Sequence, residues 1–169
     1  DPTSTGPEIM AWCEWQYYKN YGDKDRLRKV YYPLLSFHRW LKNYHRWKDG
    51  SYWSSGWGCG MDNLPRCDLE LIPDSEDWQL ESFHHSYMSW IDATLQAAMS
   101  CEYLIMMAEE LGISDDVDAL KDEYEKLVKF VNEKMWSDRD EFYYDLKSDG
   151  SFLEVKTAAS FWALISKIA

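Results

Sequence analysis

A glycine-rich loop with a single carboxylate is the stretch of this chain whose residue types could do chemistry. Residues 50–65 contain four of the eight glycines, two tryptophans, Trp53 and Trp57, and the acid Asp62 beside Asn63. This many glycines exclude a helix, because glycine costs roughly 1 kcal/mol per position relative to alanine. Desolvation by apolar neighbours raises the pKa of a carboxyl group, as a general acid requires. The loop therefore predicts either proton transfer by Asp62 or an Asx turn in which its carboxylate bonds the local backbone.

Composition places the chain among globular proteins rich in aromatic residues. Its 169 residues are 46% hydrophobic and 28% charged, which is typical of one domain with a sizeable core. Aromatic residues make up 17%, and tryptophan and tyrosine outnumber phenylalanine. These two side chains combine a flat apolar face with a polar edge, as stacking on sugar rings requires. The composition is compatible with carbohydrate binding or with an aromatic core.

Net charge argues against two classes of partner, and cysteine content indicates the compartment. The net charge of -12 argues against nucleic acid and anionic membranes as partners. No apolar run reaches the roughly 18 residues of a membrane span. The four cysteines form no Cys-x-x-Cys pair, which predicts reduced thiols and a cytoplasmic location. One alternative stays open, in which Cys59 pairs with Cys67 or binds a metal together with His84 and His85.

Hydrophobic periodicity predicts helices that could position the loop. We expect them at residues 7–21, 23–47, 85–111, 115–135 and from 156 onward. Gly22 and Gly112 are expected stops, and Pro33 predicts a kink or break near Tyr32. The helix at 85–111 is apolar on nearly all sides, which is typical of an inner helix. A weak echo with a period of about 90 residues pairs an inner with an outer helix twice.

Between and after these helices we expect irregular structure. Residues 67–81 are acidic and are predicted to cross the surface. Residues 136–146 are predicted to form a short hairpin or an extended return.

The loop also carries a family resemblance. Residues 55–66, Ser-Gly-Trp-Gly-Cys-Gly-Met-Asp-Asn-Leu-Pro-Arg, resemble the signature Ser-Gly-Trp-x-x-Gly-Met-Asp-Asn-x-Pro-Arg of the family 63 glycoside hydrolases. That family contains processing α-glucosidases and the mannosylglycerate and glucosylglycerate hydrolases. Residues 1–3, 89–93 and 142–146, followed by 156–159, agree with the family in the same order. The resemblance implies an all-α fold, with residues 1–169 a single segment of an incomplete (α/α)6 catalytic toroid built of helical hairpins.

The resemblance also implies roles for residues of the loop. Asp62 matches the general acid, and Trp57 and Gly60 match positions that line the sugar subsite. For Trp57 the alternative is packing into the core beneath the loop. Asn63 is a further substrate-binding candidate, although it could also hold the loop together with Arg66.

Arg66 has two candidate partners, Asp68 and Asp92. Asp92 itself is read either as a buried acid that anchors the loop or as a subsite ligand.

The implied reaction needs a second carboxylate. In the family this base lies in a later helical hairpin, and neither Glu81 nor Glu154 sits in a comparable motif. We therefore expect an inverting, exo-acting hydrolase of a small α-glucoside or α-mannoside, with its base outside these residues and with no cofactor or metal. A non-catalytic carbohydrate-binding module and a helical interaction module are the alternatives. The expected partner is a small carbohydrate, with self-association of the incomplete barrel.

Overall fold

Two helical hairpins, packed side by side, make up most of the molecule. The structure is a computed structural model that describes residues 6–61, 64–66 and 85–169. Within those ranges the helices are α1 (Met10–Tyr21), α2 (Lys24–Tyr44), α3 (Ile91–Leu111), α4 (Val117–Phe130) and α5 (Trp162–Ile165). A π-helical turn, Val131–Met135, extends α4, and a 3-10 turn, Ala158–Phe161, precedes α5. This confirms the predicted helical fold class.

Each helical hairpin is followed by a short β-hairpin, so the same order occurs twice. After α2, the Trp53 amide donates to the His45 carbonyl at 2.9 Å. After α4, strands β1 (Trp136–Ser137) and β2 (Phe142–Tyr143) pair antiparallel, with Trp136 opposite Tyr143. The structure thus contains the repeated order that the sequence echo predicts, and the hairpin expected at 136–146 is present.

Helix α3 lies at the centre of the core. It contacts α1, α2, α4 and α5, and most of its side chains are buried. Several of these buried side chains are polar, including Asp92, Thr94 and Gln96. The prediction of an inner helix from its apolar composition is confirmed, because neighbours cover it on several sides.

Two helices begin later than the sequence predicts. Helix α1 starts at Met10, because Pro7 packs beside Gly60 and Glu8 bonds His38 instead of opening the helix. Helix α3 starts at Ile91 rather than near His85. Ser86 and Tyr87 precede it with φ of 52° and 51°, which helical backbone does not allow.

Three other boundaries differ from the prediction. Helix α2 continues through Pro33 without a break and ends at Tyr44 instead of Trp47. The last predicted helix is reduced to the 3-10 turn and the short α5, whose Leu164 is 65% exposed. The acidic residues 67–81 lie outside the described residues. Among the helices that are described, none has both the length and the apolar character to cross a membrane.

Candidate active site

The glycine-rich loop is fixed at its first end by a buried serine. Ser55 is fully buried, and its Oγ accepts a hydrogen bond from the Gly58 amide at 3.1 Å. Its carbonyl accepts from the Cys59 amide at 3.0 Å. The Cys59 thiol is free and donates to the Gly56 carbonyl at 3.2 Å. Residues 55–59 therefore form a turn closed by their own hydrogen bonds, and the thiol of Cys59 helps to close it.

The second end of the loop is fixed by a buried ion pair. Arg66 Nη2 donates to Asp92 Oδ2 at 2.7 Å, and the side chains of both residues are at most 1% exposed. The guanidinium also stacks over the Trp90 ring, 4.1 Å from its centroid. Asp92 is the partner found here, whereas Asp68 lies outside the described residues. Asp92 is thus the buried acid that anchors the loop.

A second buried carboxylate joins this ion pair to the start of α3. Asp145 Oδ1 accepts the Ile91 amide at 2.7 Å and lies 3.7 Å from Arg66 Nη1. Burial raises the pKa of Asp145 to about 6, and the attraction of Arg66 only partly opposes that rise. Arg66 therefore neutralises two acids from different parts of the chain and holds the loop against the N-terminus of α3.

The centre of the loop exposes one of its two tryptophans. Trp57 is 50% exposed, so it is not a core residue. Trp53, in contrast, stacks on His45 with ring centroids 4.0 Å apart, and it also contacts the rings of Trp47 and His85. The first tryptophan belongs to an aromatic cluster under the loop, and Trp57 remains at the surface.

Gly60 has a conformation and a close neighbour that only glycine suits. Its φ is 73°, and a Cβ there would lie 3.1 Å from Cγ of Pro7. Pro7 therefore supports the loop at Gly60. Asp62 and Asn63 lie outside the described residues. The residues on either side of them are joined by a hydrogen bond of 3.3 Å from the Leu64 amide to the Met61 carbonyl.

Beneath the loop lies a small cavity that the sequence does not predict. It measures about 20 Å³ and is bordered by Pro7, Trp53 and Gly58 together with Glu8 and Gln96. Glu8 Oε2 and Gln96 Nε2 are buried without a hydrogen-bond partner among the described residues. A cavity of this size holds a water but not a hexose, so it belongs to the support of the loop. The one sequence feature that could have indicated the cavity is Gln96, a glutamine within the largely apolar helix α3.

Comparison with known proteins assigns the chain to a family. The family model described as the mannosylglycerate hydrolase MGH1-like glycoside hydrolase domain matches residues 2–169. An uncharacterized protein of Borreliella burgdorferi is 27% identical over 165 residues, covering 96% of this chain and 31% of that protein.

Solved structures share the fold. The GH63 mannosylglycerate hydrolase of Thermus thermophilus in complex with glucose superposes with a TM-score of 0.83 at 21% identity, covering 99% of this chain and 48% of that one. A sialidase superposes with a TM-score of 0.70 at 16% identity, covering 88% of this chain and 12% of that one. The chain thus spans about half the length of the Thermus chain. At these identities the likeness shows the fold alone. It confirms the prediction that this chain folds as part of a helical toroid. The chain belongs to the mannosylglycerate hydrolase MGH1-like glycoside hydrolase domain family.

Proposed function

We propose that this domain supplies the proton-donating half of an inverting, exo-acting glycoside hydrolase that cleaves a small α-mannoside or α-glucoside. The observation that carries the proposal is the family match over residues 2–169. In addition, the glycine-rich loop of this chain is fixed at both ends and exposes Trp57 at its centre. The name of the Thermus relative, a mannosylglycerate hydrolase, points to a hexose linked to glycerate as the first substrate to test.

Each loop residue has a role in this proposal. Asp62 protonates the oxygen of the leaving group, and Asn63 hydrogen-bonds the sugar beside it. Trp57 stacks on the apolar face of the sugar ring. Gly60 lines the sugar subsite with its backbone, while the side of its missing Cβ is occupied by Pro7.

The catalytic base lies outside these 169 residues in this proposal. Hydrolysis with inversion needs a second carboxylate that activates a water on the opposite face of the sugar. Glu154 is a poor candidate, because it accepts a hydrogen bond from Arg139 at 2.8 Å and its side chain is 61% exposed. Glu81 lies outside the described residues.

The test measures sugar release by the native protein from mannosylglycerate, glucosylglycerate and aryl α-glycosides. The configuration of the first product, read by NMR, reports the stereochemistry, and a β-anomer from an α-glycoside supports inversion. We expect Asp62→Asn to lose on the order of 10²- to 10⁴-fold in kcat. The loss should be smaller on a substrate with an activated aryl leaving group, because that group needs less protonation.

A matched control separates the loss of the acid from a general loss of charge. Asp149→Asn changes a carboxylate in a turn, where it accepts from the Ser151 amide at 2.9 Å. If Asp62→Asn and Asp149→Asn have the same activity as the unchanged protein, Asp62 is not the acid. Sugar-dependent quenching of tryptophan fluorescence without any hydrolysis would favour a non-catalytic carbohydrate-binding module instead.

We also propose a cytoplasmic location and self-association of the isolated domain. The first follows from the free thiols of Cys13, Cys59 and Cys101. The second follows from Phe161 and Leu164 near the end of the chain, which are 57% and 65% exposed. Sedimentation of the isolated domain as a monomer at all concentrations would contradict self-association.

A further inference from the structure

A cluster of polar side chains is buried between α2, α3 and α4. His38, Cys101 and Glu123 come from these three helices, and they are 1%, 0% and 5% exposed. His38 Nε2 lies 3.5 Å from Cys101 Sγ and 3.3 Å from Glu123 Oε2. One nitrogen, one sulfur and one oxygen atom thus converge, all within 4.8 Å of one another.

The two separations from His38 Nε2, 3.5 Å to Cys101 Sγ and 3.3 Å to Glu123 Oε2, match those between ligands of a tetrahedral metal ion. Zinc binds histidine nitrogen, carboxylate oxygen and thiolate sulfur at roughly 2.0–2.3 Å, which places neighbouring ligands roughly 3.3–3.8 Å apart. We propose that His38, Cys101 and Glu123 bind a divalent cation of the zinc class. The proposal does not rest on the proposed sugar chemistry, and it differs from the expectation, drawn from the sequence, of no metal.

Neighbouring residues hold two of the proposed ligands in a suitable orientation. Glu8 Oε1 lies 2.7 Å from His38 Nδ1, which leaves Nε2 directed at the cluster. A carboxylate behind a metal-binding histidine is the usual outer partner in zinc sites. The Tyr52 hydroxyl donates to Glu123 Oε1 at 2.5 Å, so the other oxygen of this carboxylate faces His38.

One cation already lies near the cluster, and its side chain is partly exposed. Lys42 Nζ is 2.6 Å from Glu123 Oε2, and the side chain of Lys42 is 31% exposed. Metal binding requires this ammonium to turn into solvent and to leave Glu123 Oε2 to the metal ion. A narrow cleft of about 40 Å³ borders His38, Lys42 and Glu123. The cleft thus lies beside two of the three proposed ligands, His38 and Glu123.

A metal at this position would also act on the glycine-rich loop. It would join three helices, and through Glu8 it would hold the segment whose Pro7 packs beside Gly60. The proposed cation therefore has a structural role below the loop. Its removal is expected to lower Tm and to have a smaller effect on sugar release.

The test is titration of the metal-free native protein with Co²⁺, followed by absorption spectroscopy. We expect tetrahedral cobalt bands and a thiolate-to-cobalt charge-transfer band, both abolished by Zn²⁺. Cys101→Ser should lose the charge-transfer band. Cys13→Ser is the matched control, because this thiol is exposed on α1, and it should keep the band. Glu8→Gln should weaken cobalt affinity about 10- to 100-fold.

A second variant protects the test against misfolding. Glu123→Gln keeps the shape of the side chain and should abolish the rise in Tm that Zn²⁺ gives to the unchanged protein. The proposal is overturned if the unchanged protein shows no charge-transfer band or no rise in Tm. It is also overturned if Cys101→Ser keeps the band, or if folded Glu123→Gln gains as much Tm from Zn²⁺ as the unchanged protein.

Discussion

Replacing Arg66 by methionine removes the cation that lies between two buried acids. Arg66→Met keeps a side chain of similar length, but leaves the carboxylates of Asp92 and Asp145 without their cationic partner. These carboxylates are 0% and 3% exposed, so water cannot solvate them in place of the guanidinium. The substitution also removes the guanidinium from the Trp90 ring.

The expected cost follows from the burial of these charges. Removal of one partner from a buried ion pair destabilises a protein by about 3–5 kcal/mol. Total stabilities are only about 5–15 kcal/mol. For a chain of this size, each kcal/mol lowers Tm by about 2–4 °C. We therefore expect Arg66→Met to lower Tm by roughly 6–20 °C.

The assay is thermal unfolding by circular dichroism, with Arg139→Met as the matched control. The side chain of Arg139 is 70% exposed and pairs with Asp140 and Glu154, where an ion pair contributes about 0–1 kcal/mol. Adding Asp92→Asn to Arg66→Met should restore part of the lost stability, because one unpaired charge is removed. If Arg66→Met and Arg139→Met have equal Tm values, the buried ion pair does not stabilise the folded protein.

Three further predictions concern the loop and its support. Gly60→Ala should lower both activity and Tm, because the added Cβ would meet Pro7. Gly22→Ala is the control: Gly22 has a similar positive φ but open space around it, so this change should lower Tm only. Trp57→Ala should raise KM about tenfold with little change in Tm, because a half-exposed ring contributes to binding rather than to the core. Burial raises the pKa of Asp145 from 3.8 to about 6, so the folded protein binds this proton more tightly than the unfolded chain does. The resulting stabilisation is fully present below pH 3.8 and is lost as pH rises through about 6. Asp145→Asn should therefore flatten the pH dependence of the free energy of unfolding by about 3 kcal/mol across this window, as measured with urea.

Each of these predictions has an outcome that would contradict it. Equal activity of Gly60→Ala and Gly22→Ala would show that contact with Pro7 does not position the loop. An unchanged KM in Trp57→Ala would remove the stacking role. A pH profile that Asp145→Asn leaves unaltered would mean that this carboxylate titrates at its ordinary pKa in the folded protein.

Local sequence determined where most helices lie and where two of them stop. Gly22 and Gly112 both end helices in the left-handed conformation, as expected. The number of glycines was enough to predict the loop, because their backbone cost excludes a helix regardless of the neighbours. The apolar composition of α3 was enough to predict that it is buried. These features depend on residues close together in the chain, so sequence is sufficient for them.

Tertiary structure decided which polar side chains meet. The start of α1 was predicted wrongly because Pro7 and Glu8 find partners far along the chain, at Gly60 and His38. Asp92 was one of two possible partners for Arg66, and only the packing of α3 against the loop selects it. The approach of Cys101 to His38 has no sequence signal, since the spacing of these residues resembles no ligand motif. Such contacts depend on how helices cross, and burial then makes each unpaired charge costly enough to select a single arrangement.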